Sequence, residues 1–313
     1  MRAFAVDEFG GAGSIHDLDV PEPDEGQVRV RVAAAGVNPA DVFMLKGFYK
    51  DRLEHRFPLV PGADVAGTVD AVGDAAGQWK VGDEVFGGLG KMVVGAGSMA
   101  EYTTASTKTI AMRPAGIDAH FGAALPLPGV SALMCIDPMG LKKGDVVIIL
   151  GAAGGIGGFA LQLAKAAGAH VVAVTREVNA AYVRGLGADE VVDYSKGDIR
   201  QGIHSAHPDG VAGIVHAGGE KDELAKLADL VRKGGHVVSM RGGADVEQLA
   251  KRDVTGLNVM TMVTTESLER LAGLVSKGTI KRPEIKTFSL DQAGEAYKEI
   301  AEGHVRGKLI VAS

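Results

Sequence analysis

The sequence contains only one cysteine, one tryptophan and 5% aromatic residues. Because Cys135 stands alone, the chain can form neither an internal disulfide nor a zinc cage of several thiolates. Its longest apolar runs, such as VVIIL, are far shorter than the roughly 20 residues that a membrane span needs. The first residues, MRAFAVDEFG, also lack the apolar core and cleavage pattern of a signal peptide. We therefore expect a soluble, cytoplasmic protein that does not enter a membrane.

The sequence also lacks a basic block. Its 33 lysines and arginines are outnumbered by 39 acids, which gives a formal charge of −6 and argues against a dedicated nucleic-acid surface. By contrast, glycine is abundant at 45 residues, and 46% of the residues are apolar. The 313 residues are therefore expected to form a substantial core and many tight turns, in two domains of ordinary size.

The first part of the chain, residues 1–119, is predicted to be mostly β-structure. Polar and apolar residues alternate in 27–37 and more weakly in 64–73, and 81–87 and 97–105 provide further short strands. Prolines oppose any long helix here: Pro21, Pro23, Pro39, Pro58 and Pro61. This part is expected to be a curled sheet or barrel.

Residues 120–263 alternate between apolar runs and segments of helical length. Strands are expected at 146–152, 170–175, 190–194, 210–219, 235–240 and 257–262. Helices are expected up to Gly168, up to about Gly187, near 198–206 and at 221–232. This pattern predicts a doubly wound, mostly parallel sheet.

The last residues, 264–313, contain no further strand–helix–strand unit. They supply a helix at 266–276, a strand at 284–290, a helix at 291–302 and a final strand, GKLIVAS. We expect them to pack on the first part, so that residues 1–119 and 264–313 form one discontinuous domain.

The segment VVIILGAAGGIGG joins a predicted strand to a predicted helix. Gly151, Gly154 and Gly157 show the spacing G-x-x-G-x-x-G, with Gly155 and Ile156 between them. Glycines in such a turn let a phosphate approach the backbone N–H groups at the start of the helix. The pattern predicts a dinucleotide site, because the strand, the helix and the repeated units around it all agree.

The end of the next strand indicates which dinucleotide binds. It reads AVTREVN, so that Thr175 and Arg176 stand where a carboxylate would contact the ribose of NAD. A guanidinium suits a 2′-phosphate, and the prediction is therefore NADP(H). The alternative is that Arg176 is a solvated surface residue.

Several segments together resemble one family. AAGVNPADVFMLKGFY, PGADVAGTVDAVG, VGDEVFG, GSMAEY, LPLPGVSA and GAAGGIGG occur in one order across the chain. This order resembles the medium-chain dehydrogenase/reductase superfamily, in its zinc-free, quinone oxidoreductase-like branch. The resemblance implies a GroES-like β-barrel catalytic domain, a Rossmann domain at 120–263, and a cofactor bound in the cleft between them.

The resemblance also implies that no catalytic metal is present. Zinc-dependent members carry a cysteine where this chain has Asn38, and a His-Glu pair where it has Ala63 and Asp64. His55 and Asp64 without a matching third ligand make a poor site. Without a Lewis acid, alcohol oxidation is not expected.

Zinc-free relatives use NADPH to reduce an activated C=C bond or a quinone. By resemblance, Asn38 and Asp41 lie beside the nicotinamide, with Asp41 as an orienting group or, as the alternative, a catalytic acid. Tyr49 matches a proton donor or orienting residue of enoyl-thioester reductases. Phe43 and Ser131 are expected to line the substrate pocket. Each of these residues has a structural alternative: a loop aromatic for Tyr49, a core side chain for Phe43, and a helix cap for Ser131.

Three more residues are predicted to contact the cofactor. The resemblance suggests Tyr194 near the adenosine phosphate and Lys308 near the C-terminus, while His216 ends the fourth strand beside the expected nicotinamide ribose. A strand-end tyrosine, a solvated lysine and a structural histidine are the respective alternatives. The other histidines receive no role, and no metal ligand is predicted.

The favoured function is the reduction of a small quinone or enone by NADPH. An alternative is an enoyl-thioester (enoyl-CoA or acyl-carrier-protein) reductase. Tyr49 supports it, as do the nearby basic residues Lys46, Lys50, Arg52 and Arg56. A non-catalytic NADPH-binding protein with a structural or RNA-associating role is the alternative of another class. We further expect a homodimer formed through the sheet edge at 257–262.

Overall fold

A computed structural model describes residues 1–91 and 93–313 of the chain. These residues form two compact units. The first unit contains Met1–Leu127, Val263–Ser276 and Arg282–Ser313, and the second contains Pro128–Met262 and Lys277–Lys281.

The secondary structure alternates as the sequence pattern predicts. The strands are β1 (Arg2–Ala5), β2 (Ser14–Asp17), β3 (Gln27–Val37), β4 (His55–Val60), β5 (Asp64–Val72), β6 (Glu84–Gly88), β7 (Val94–Ala96), β8 (Tyr102–Ser106), β9 (Ile110–Met112), β10 (Val146–Leu150), β11 (His170–Val174), β12 (Glu190–Val192), β13 (Val211–His216), β14 (Val231–Ser239), β15 (Thr255–Asn258), β16 (Ile285–Ser289) and β17 (Lys308–Ala312). The α-helices are α1 (Pro39–Leu45), α2 (Ala119–Ala124), α3 (Pro126–Ile136), α4 (Gly155–Ala166), α5 (Ala180–Leu186), α6 (Ile199–Ala206), α7 (Lys221–Ala228), α8 (Val246–Ala250), α9 (Thr265–Ser276) and α10 (Ala293–Glu302). Short 3₁₀ turns occupy Asp137–Met139, Glu177–Asn179 and Leu290–Gln292.

The first unit is built around a seven-stranded sheet. Its strand order is β16-β17-β3-β5-β6-β9, and β8 also pairs with β3. Along β3 the side chains of Val28, Val30 and Val32 are buried while the residues between them are more exposed, as the alternating sequence predicts. Two small sheets, β1-β2 and β4-β7, complete the strand pairing. The expected β-rich N-terminal part is confirmed.

The register of this sheet brings distant residues to one end of three strands. β3 runs antiparallel to β5, with Gly36 opposite Asp64, and antiparallel to β17, with Val37 opposite Leu309. Asn38, which follows β3, therefore meets the first residues of both neighbouring strands. This junction is the first candidate site described below.

The second unit contains a six-stranded parallel sheet. Its strand order is β12-β11-β10-β13-β14-β15, which is the order of the dinucleotide-binding doubly wound fold. The middle strands are buried on both faces, as the unbroken apolar run of β10 predicts. The predicted fold class is therefore confirmed in both parts of the chain.

Three predicted elements differ from the structure. The helix expected at 221–232 ends at Ala228, because residues from Val231 onward extend β14 and pair with β13 across a register shift. The last parallel strand, expected at 257–262, is Thr255–Asn258. At its last residue, the Asn258 side chain hydrogen-bonds the backbone N–H and carbonyl of Ala244. Within the strand expected at 97–105, only the residues from Tyr102 onward form a strand, which is β8.

In the proline-containing part of the chain, residues 1–119, helix α1 has only seven residues, as the prolines predict. Pro39 opens α1 at its first position, where the missing N–H costs no intrahelical hydrogen bond. Among the residues that the structure describes, no helix combines the length and the apolar character needed to cross a membrane.

Candidate functional site

A glycine turn links β10 to α4 in the second unit. Gly151 has a φ of 76°, and a Cβ placed on it would lie 2.7 Å from the backbone N of Gly218. A Cβ on Gly157 would lie 2.2 Å from the carbonyl oxygen of Gly151. Only glycine fits these two positions, because backbone atoms occupy the space that a side chain would need.

The start of α4 offers backbone N–H groups to a ligand. Gly154 is the N-cap and has no side chain with which to cap the helix. The first N–H groups of a helix, here those of Gly155, Ile156 and Gly157, have no intrahelical acceptor and carry partial positive charge. A Cβ on Gly154 would meet only the Gly151 oxygen, at 3.5 Å, so the space in front of the helix is open. This cradle suits a pyrophosphate.

Thr175 and Arg176 follow β11 at the same edge of the sheet. Thr175 is buried; its N–H donates to the carbonyl of Val192 at 3.0 Å, and its Oγ1 accepts from the side chain of Asn179 at 3.0 Å. Thr175 therefore holds β11 against β12. The Arg176 guanidinium is partly exposed and makes no ion pair with any residue that the structure describes. It is thus available to an external anion.

Tyr194 lies just beyond β12 and is 37% exposed. It borders an open pocket of about 520 Å³. The other residues around this pocket are Gly197, Asp198, Ile199, Arg200, Glu223 and Lys226. The pocket wall therefore combines an aromatic ring with two basic and two acidic side chains.

His216 is fully buried at the end of β13. Its Nε2 lies 3.3 Å from the carbonyl oxygen of Gly219, which can only accept, so Nε2 carries the proton and Nδ1 accepts from the Ser239 hydroxyl at 2.9 Å. Burial lowers the pKa of His216, which agrees with a neutral ring. His216 joins β13 to β14 at the edge that carries the glycine turn.

Ser131 lies on α3 and is fully buried. Its hydroxyl is 2.5 Å from the hydroxyl of Thr261. This bond connects α3 to the segment after β15, within the second unit.

Four charged or amide side chains of the first unit form what we call the buried polar cluster: Asn38, Asp41, Asp64 and Lys308. The Asn38 amide donates to Asp64 Oδ2 at 2.9 Å, and its Oδ1 accepts from the Lys308 ammonium at 2.6 Å. Lys308 also donates to the carbonyl of Val37 at 2.6 Å. Asp41 accepts from the backbone N–H of Asn38 at 2.9 Å, which is one half of a capping box.

Electrostatics within the buried polar cluster follow from its burial. The pKa of Asp41 is raised to about 7, chiefly by burial; the Asn38 N–H and the charge of Lys308 oppose this shift, and the charge of Asp64 adds to it. Burial also raises the pKa of Asp64 and lowers that of Lys308, and in each case the opposite charge of the other group acts against the shift. The ammonium is therefore the group that makes two nearby carboxylates tolerable in the core.

Two polar atoms, one in this cluster and one next to it, have no hydrogen-bond partner among the described residues. They are Asp41 Oδ1 and the hydroxyl of Tyr297, and both are shielded from solvent. Burial, and secondarily the charge of Asp41, raises the pKa of Tyr297 well above its usual value. Tyr297 therefore stays a neutral phenol next to the cluster.

Phe43 and Tyr49 lie in an aromatic group on and after α1. Phe43 is 49% exposed and packs against Phe48, whose ring meets that of Tyr49 edge to face at 5.1 Å. The exposure of Phe43 excludes the alternative of an ordinary core residue. Tyr49 is half-buried, and its hydroxyl has no hydrogen-bond partner within the described part of the chain.

The structure thus groups the predicted residues in three places. Asn38, Asp41 and Lys308 come together in the buried polar cluster, Phe43 and Tyr49 belong to the aromatic group, and the remaining cofactor residues and Ser131 lie in the second unit. Lys308 is 4% exposed, so it is not the solvated lysine that was its alternative.

From the sequence, Asp64 is expected only as a poor metal ligand, and no role is predicted for Tyr297. A carboxylate at the start of a buried strand was the signal for Asp64. For Tyr297 the signal was its place on the apolar stripe of α10, with Ala293 and Ala296, where a phenol hydroxyl needs an explanation.

Two protein families match separate parts of the sequence. The family described as "Alcohol dehydrogenase GroES-like domain" matches residues 24–115, and that described as "Zinc-binding dehydrogenase" matches residues 186–311. The two matches fall in the β-rich part and in the region that includes the end of the parallel sheet.

Similar proteins match along nearly the whole chain. The sequence is 31% identical over 335 residues to the chloroplast envelope quinone oxidoreductase homolog of Arabidopsis thaliana, covering 99% of this chain and 98% of that protein. It is also 31% identical over 323 residues to the chloroplastic NADPH-dependent alkenal/one oxidoreductase of Arabidopsis thaliana, covering 99% and 79%. The solved structure of the quinone oxidoreductase from Coxiella burnetii superposes with a TM-score of 0.88 at 29% identity, covering 100% and 99%.

Proposed function

Because the chain belongs to the quinone oxidoreductase-like branch of the medium-chain dehydrogenase/reductase superfamily, we propose that it is an NADPH-dependent reductase of quinones or α,β-unsaturated carbonyl compounds. The fold of this superfamily implies a nicotinamide nucleotide. The observation that carries the proposal is the glycine turn before α4. Backbone atoms exclude a side chain at Gly151 and at Gly157, and the space in front of the helix is open to a pyrophosphate.

Arg176 supports NADPH over NADH. It follows β11, where a 2′-phosphate on the adenosine ribose would lie, and its guanidinium is not engaged by a described carboxylate. The chain has no acidic residue at positions 175 and 176 that would repel that phosphate. A relative named as NADPH-dependent agrees with this proposal.

The chemistry needs a hydride, a proton and an oriented acceptor. When bound, the reduced nicotinamide supplies the hydride to the carbon β to the carbonyl of an enone, and the α carbon then takes up a proton. We assign Tyr49 either to donate that proton or to hydrogen-bond the carbonyl oxygen. Its hydroxyl has no partner among the described residues, and the residue is partly exposed. Phe43 provides an apolar wall beside it.

The buried polar cluster is assigned a positioning role. Both ends of the Asn38 amide are held, by Asp64 and by Lys308, and Asp41 holds its backbone N–H. A residue held by three hydrogen bonds, two of them to its side chain, loses little entropy when a ligand binds beside it. Asn38 and Asp41 therefore fix the start of α1, which carries Phe43, and the loop with Tyr49 follows it.

We further infer that this site works without zinc. Zinc in proteins is held by thiolate, imidazole and carboxylate ligands. In the buried polar cluster the Asn38 oxygen already accepts from the Lys308 ammonium, and Asp64 accepts from the Asn38 amide and from the N–H of Leu127. A metal ion would have to displace an ammonium group, so the donor set does not fit one.

Reduction of an enoyl thioester is the second candidate. Tyr49 is followed by exposed basic side chains, Lys50 and Arg52, which suit the phosphates of coenzyme A. Asp51 lies between them and Glu54 pairs with Arg56, which reduces that basic character. We therefore rank this substrate class second.

A panel of acceptors tests both candidates. NADPH oxidation is measured with a quinone, a free enone and crotonyl-CoA, using wild type, Tyr49→Phe and, as a matched control, Tyr102→Phe on β8. We expect turnover of quinone or enone, and a loss of at least about tenfold in kcat for the enone in Tyr49→Phe alone. Faster turnover of crotonyl-CoA would favour the second candidate. NADPH binding without oxidation by any acceptor would favour a non-catalytic protein.

We also propose a homodimer. β15 is the edge strand of the parallel sheet, and Met260 and Met262 just after it are 81% and 68% exposed. A second copy that pairs with this edge would cover the unpaired backbone groups of β15 and the two methionines. Solution scattering at micromolar concentration should give the mass of two chains, and the mass of one chain would contradict the proposal.

A further inference from the structure

Three side chains of types that can ligate a metal ion meet at the end of the second unit's parallel sheet where its strands begin, opposite the glycine turn. His170 is the first residue of β11, Glu190 is the first residue of β12, and His207 follows the last residue of α6. One ligand atom from each lies within 4.8 Å of the other two. The sequence predicts no role for these two histidines, which are 37 positions apart in the chain.

The geometry centres on one carboxylate oxygen. Glu190 Oε1 lies 2.6 Å from His170 Nε2 and 3.1 Å from His207 Nε2. The two imidazole rings are inclined at 61°, with centroids 5.5 Å apart. Both Nε2 atoms therefore face the same carboxylate from different sides.

His207 provides the observation that calls for a ligand. Its Nε2 is shielded from solvent and has no hydrogen-bond partner among the residues that the structure describes, although it lies near the carboxylate. A buried ring nitrogen without a partner costs free energy, which a metal ion bonded to it would recover. The side chains of His170 and Glu190 are 38% and 36% exposed, so the cluster is open to an ion from solvent.

We propose that His170, Glu190 and His207 bind a single Zn²⁺ ion. Two imidazoles and one carboxylate are a known zinc ligand set, and three protein ligands leave a fourth position for water. Neutral nitrogen donors favour zinc over Mg²⁺ or Ca²⁺, which prefer oxygen ligands.

The neighbouring charged groups do not compete for this ion. Asp189, next to Glu190, accepts from the Lys165 ammonium at 2.6 Å and from the N–H of Val171 at 2.8 Å. Lys165 is thereby directed to Asp189. Glu190 is therefore left to the two histidines, and its negative charge would offset part of the charge of the metal ion.

The position of the site predicts its role. His170 and Glu190 begin their strands, while the glycine turn, Thr175 and Arg176 follow strand ends at the opposite edge of the sheet. A strand of five residues is roughly 15 Å long, so the ion would not touch a nucleotide. Instead it would join β11, the three-residue edge strand β12 and the end of α6. We expect it to stabilise this part of the fold and not to take part in hydride transfer.

The test uses the full chain without a polyhistidine tag, titrated with Zn²⁺ by calorimetry and with Co²⁺ by visible absorption. Wild type should bind one Zn²⁺, give the d–d bands of low-symmetry Co²⁺, and melt at a higher temperature with Zn²⁺ than with a chelator. His170→Ala, His207→Ala and Glu190→Gln should each weaken Zn²⁺ binding at least about tenfold and lose most of the thermal shift.

His204→Ala is the matched control, because His204 lies exposed on α6 one turn before His207. It should bind Zn²⁺ as tightly as wild type. NADPH affinity, unchanged in all variants, shows that each variant is folded. Equal Zn²⁺ affinity in wild type and His207→Ala, or binding of Mg²⁺ as tight as that of Zn²⁺, would overturn the proposal.

Discussion

The glycine turn and the buried polar cluster are built in opposite ways. The turn is made of backbone from one continuous segment, Gly151–Gly158, and depends on the absence of side chains. The cluster is made of side chains from three distant segments, and depends on charges held in the core. Lys308 and Asn38 are 270 positions apart in the chain.

The two sites therefore tolerate substitution differently. A backbone site fails when a side chain is added, because atoms already occupy the space. A buried charged site fails when a side chain is removed, because the remaining charges lose their compensation. Five substitutions, each with a control, test this contrast.

The largest effect is expected from Lys308→Met. The change leaves two buried carboxylates and the Asn38 oxygen without the ammonium, which should lower the free energy of unfolding by about 3–5 kcal/mol. Urea denaturation measures it. Lys298→Met, at an exposed position of α10, should change stability by less than about 0.5 kcal/mol. A Lys308→Met protein as stable as wild type would mean that the cluster does not depend on this charge.

Gly157→Ala should come next. Its Cβ would clash with the Gly151 carbonyl at 2.2 Å, so we expect a loss of about 1–3 kcal/mol in stability together with weaker NADPH binding. Gly154→Ala should separate the two effects, because its Cβ has ordinary contacts in the protein but enters the space assigned to the phosphates.

For both glycine variants the measurements are the melting temperature without nucleotide and the NADPH dissociation constant. Gly185→Ala, on exposed α5 with no atom near the new Cβ, is the control and should keep both values or gain slightly in stability. Unchanged NADPH affinity in Gly154→Ala would contradict the placement of the pyrophosphate.

Arg176→Ala should affect cofactor choice alone. Loss of a charge-assisted contact of about 1.5–3 kcal/mol should raise the KM for NADPH by roughly 10- to 100-fold and leave the KM for NADH unchanged. Arg184→Ala on α5, which is also exposed, should change neither value. An equal rise for both cofactors would argue against a 2′-phosphate contact.

The last expected effect is a pH dependence of the free energy of unfolding, caused by Asp41. Burial raises the pKa of Asp41 to about 7, with Asp64, Lys308 and the Tyr297 phenol as the groups that face it. A carboxyl whose pKa is raised on folding contributes stability that is fully present below about pH 4 and is lost as the pH rises through about 7.

Wild type should therefore lose stability relative to Asp41→Asn by up to about 1.4 kcal/mol for each pH unit, from about pH 5 to pH 7, and no further above that. Urea midpoints across this range measure it. Asp51→Asn, at an exposed loop position, should follow wild type. Parallel curves for wild type and Asp41→Asn would show that Asp41 does not hold a proton in the folded protein.

The fold of the second unit is largely predictable from the sequence. Apolar runs marked β10, β11 and β13 to within a few residues, and the glycine spacing marked the turn before α4. The error at Val231 arose because a segment of helical appearance gained more from pairing with β13. Such competition is not visible in local sequence.

The local sequence is enough to predict the succession of strands and helices, the turn that only glycine can form, and Arg176 at the end of β11, because each depends on neighbours within a few residues. The packing of the whole chain is needed to bring Lys308 to Asn38, and to bring His170 and His207 to one oxygen of Glu190. Strand register and burial bring these groups together, and both are properties of the packed chain, where a shift of one residue would place each side chain on the other face of its sheet.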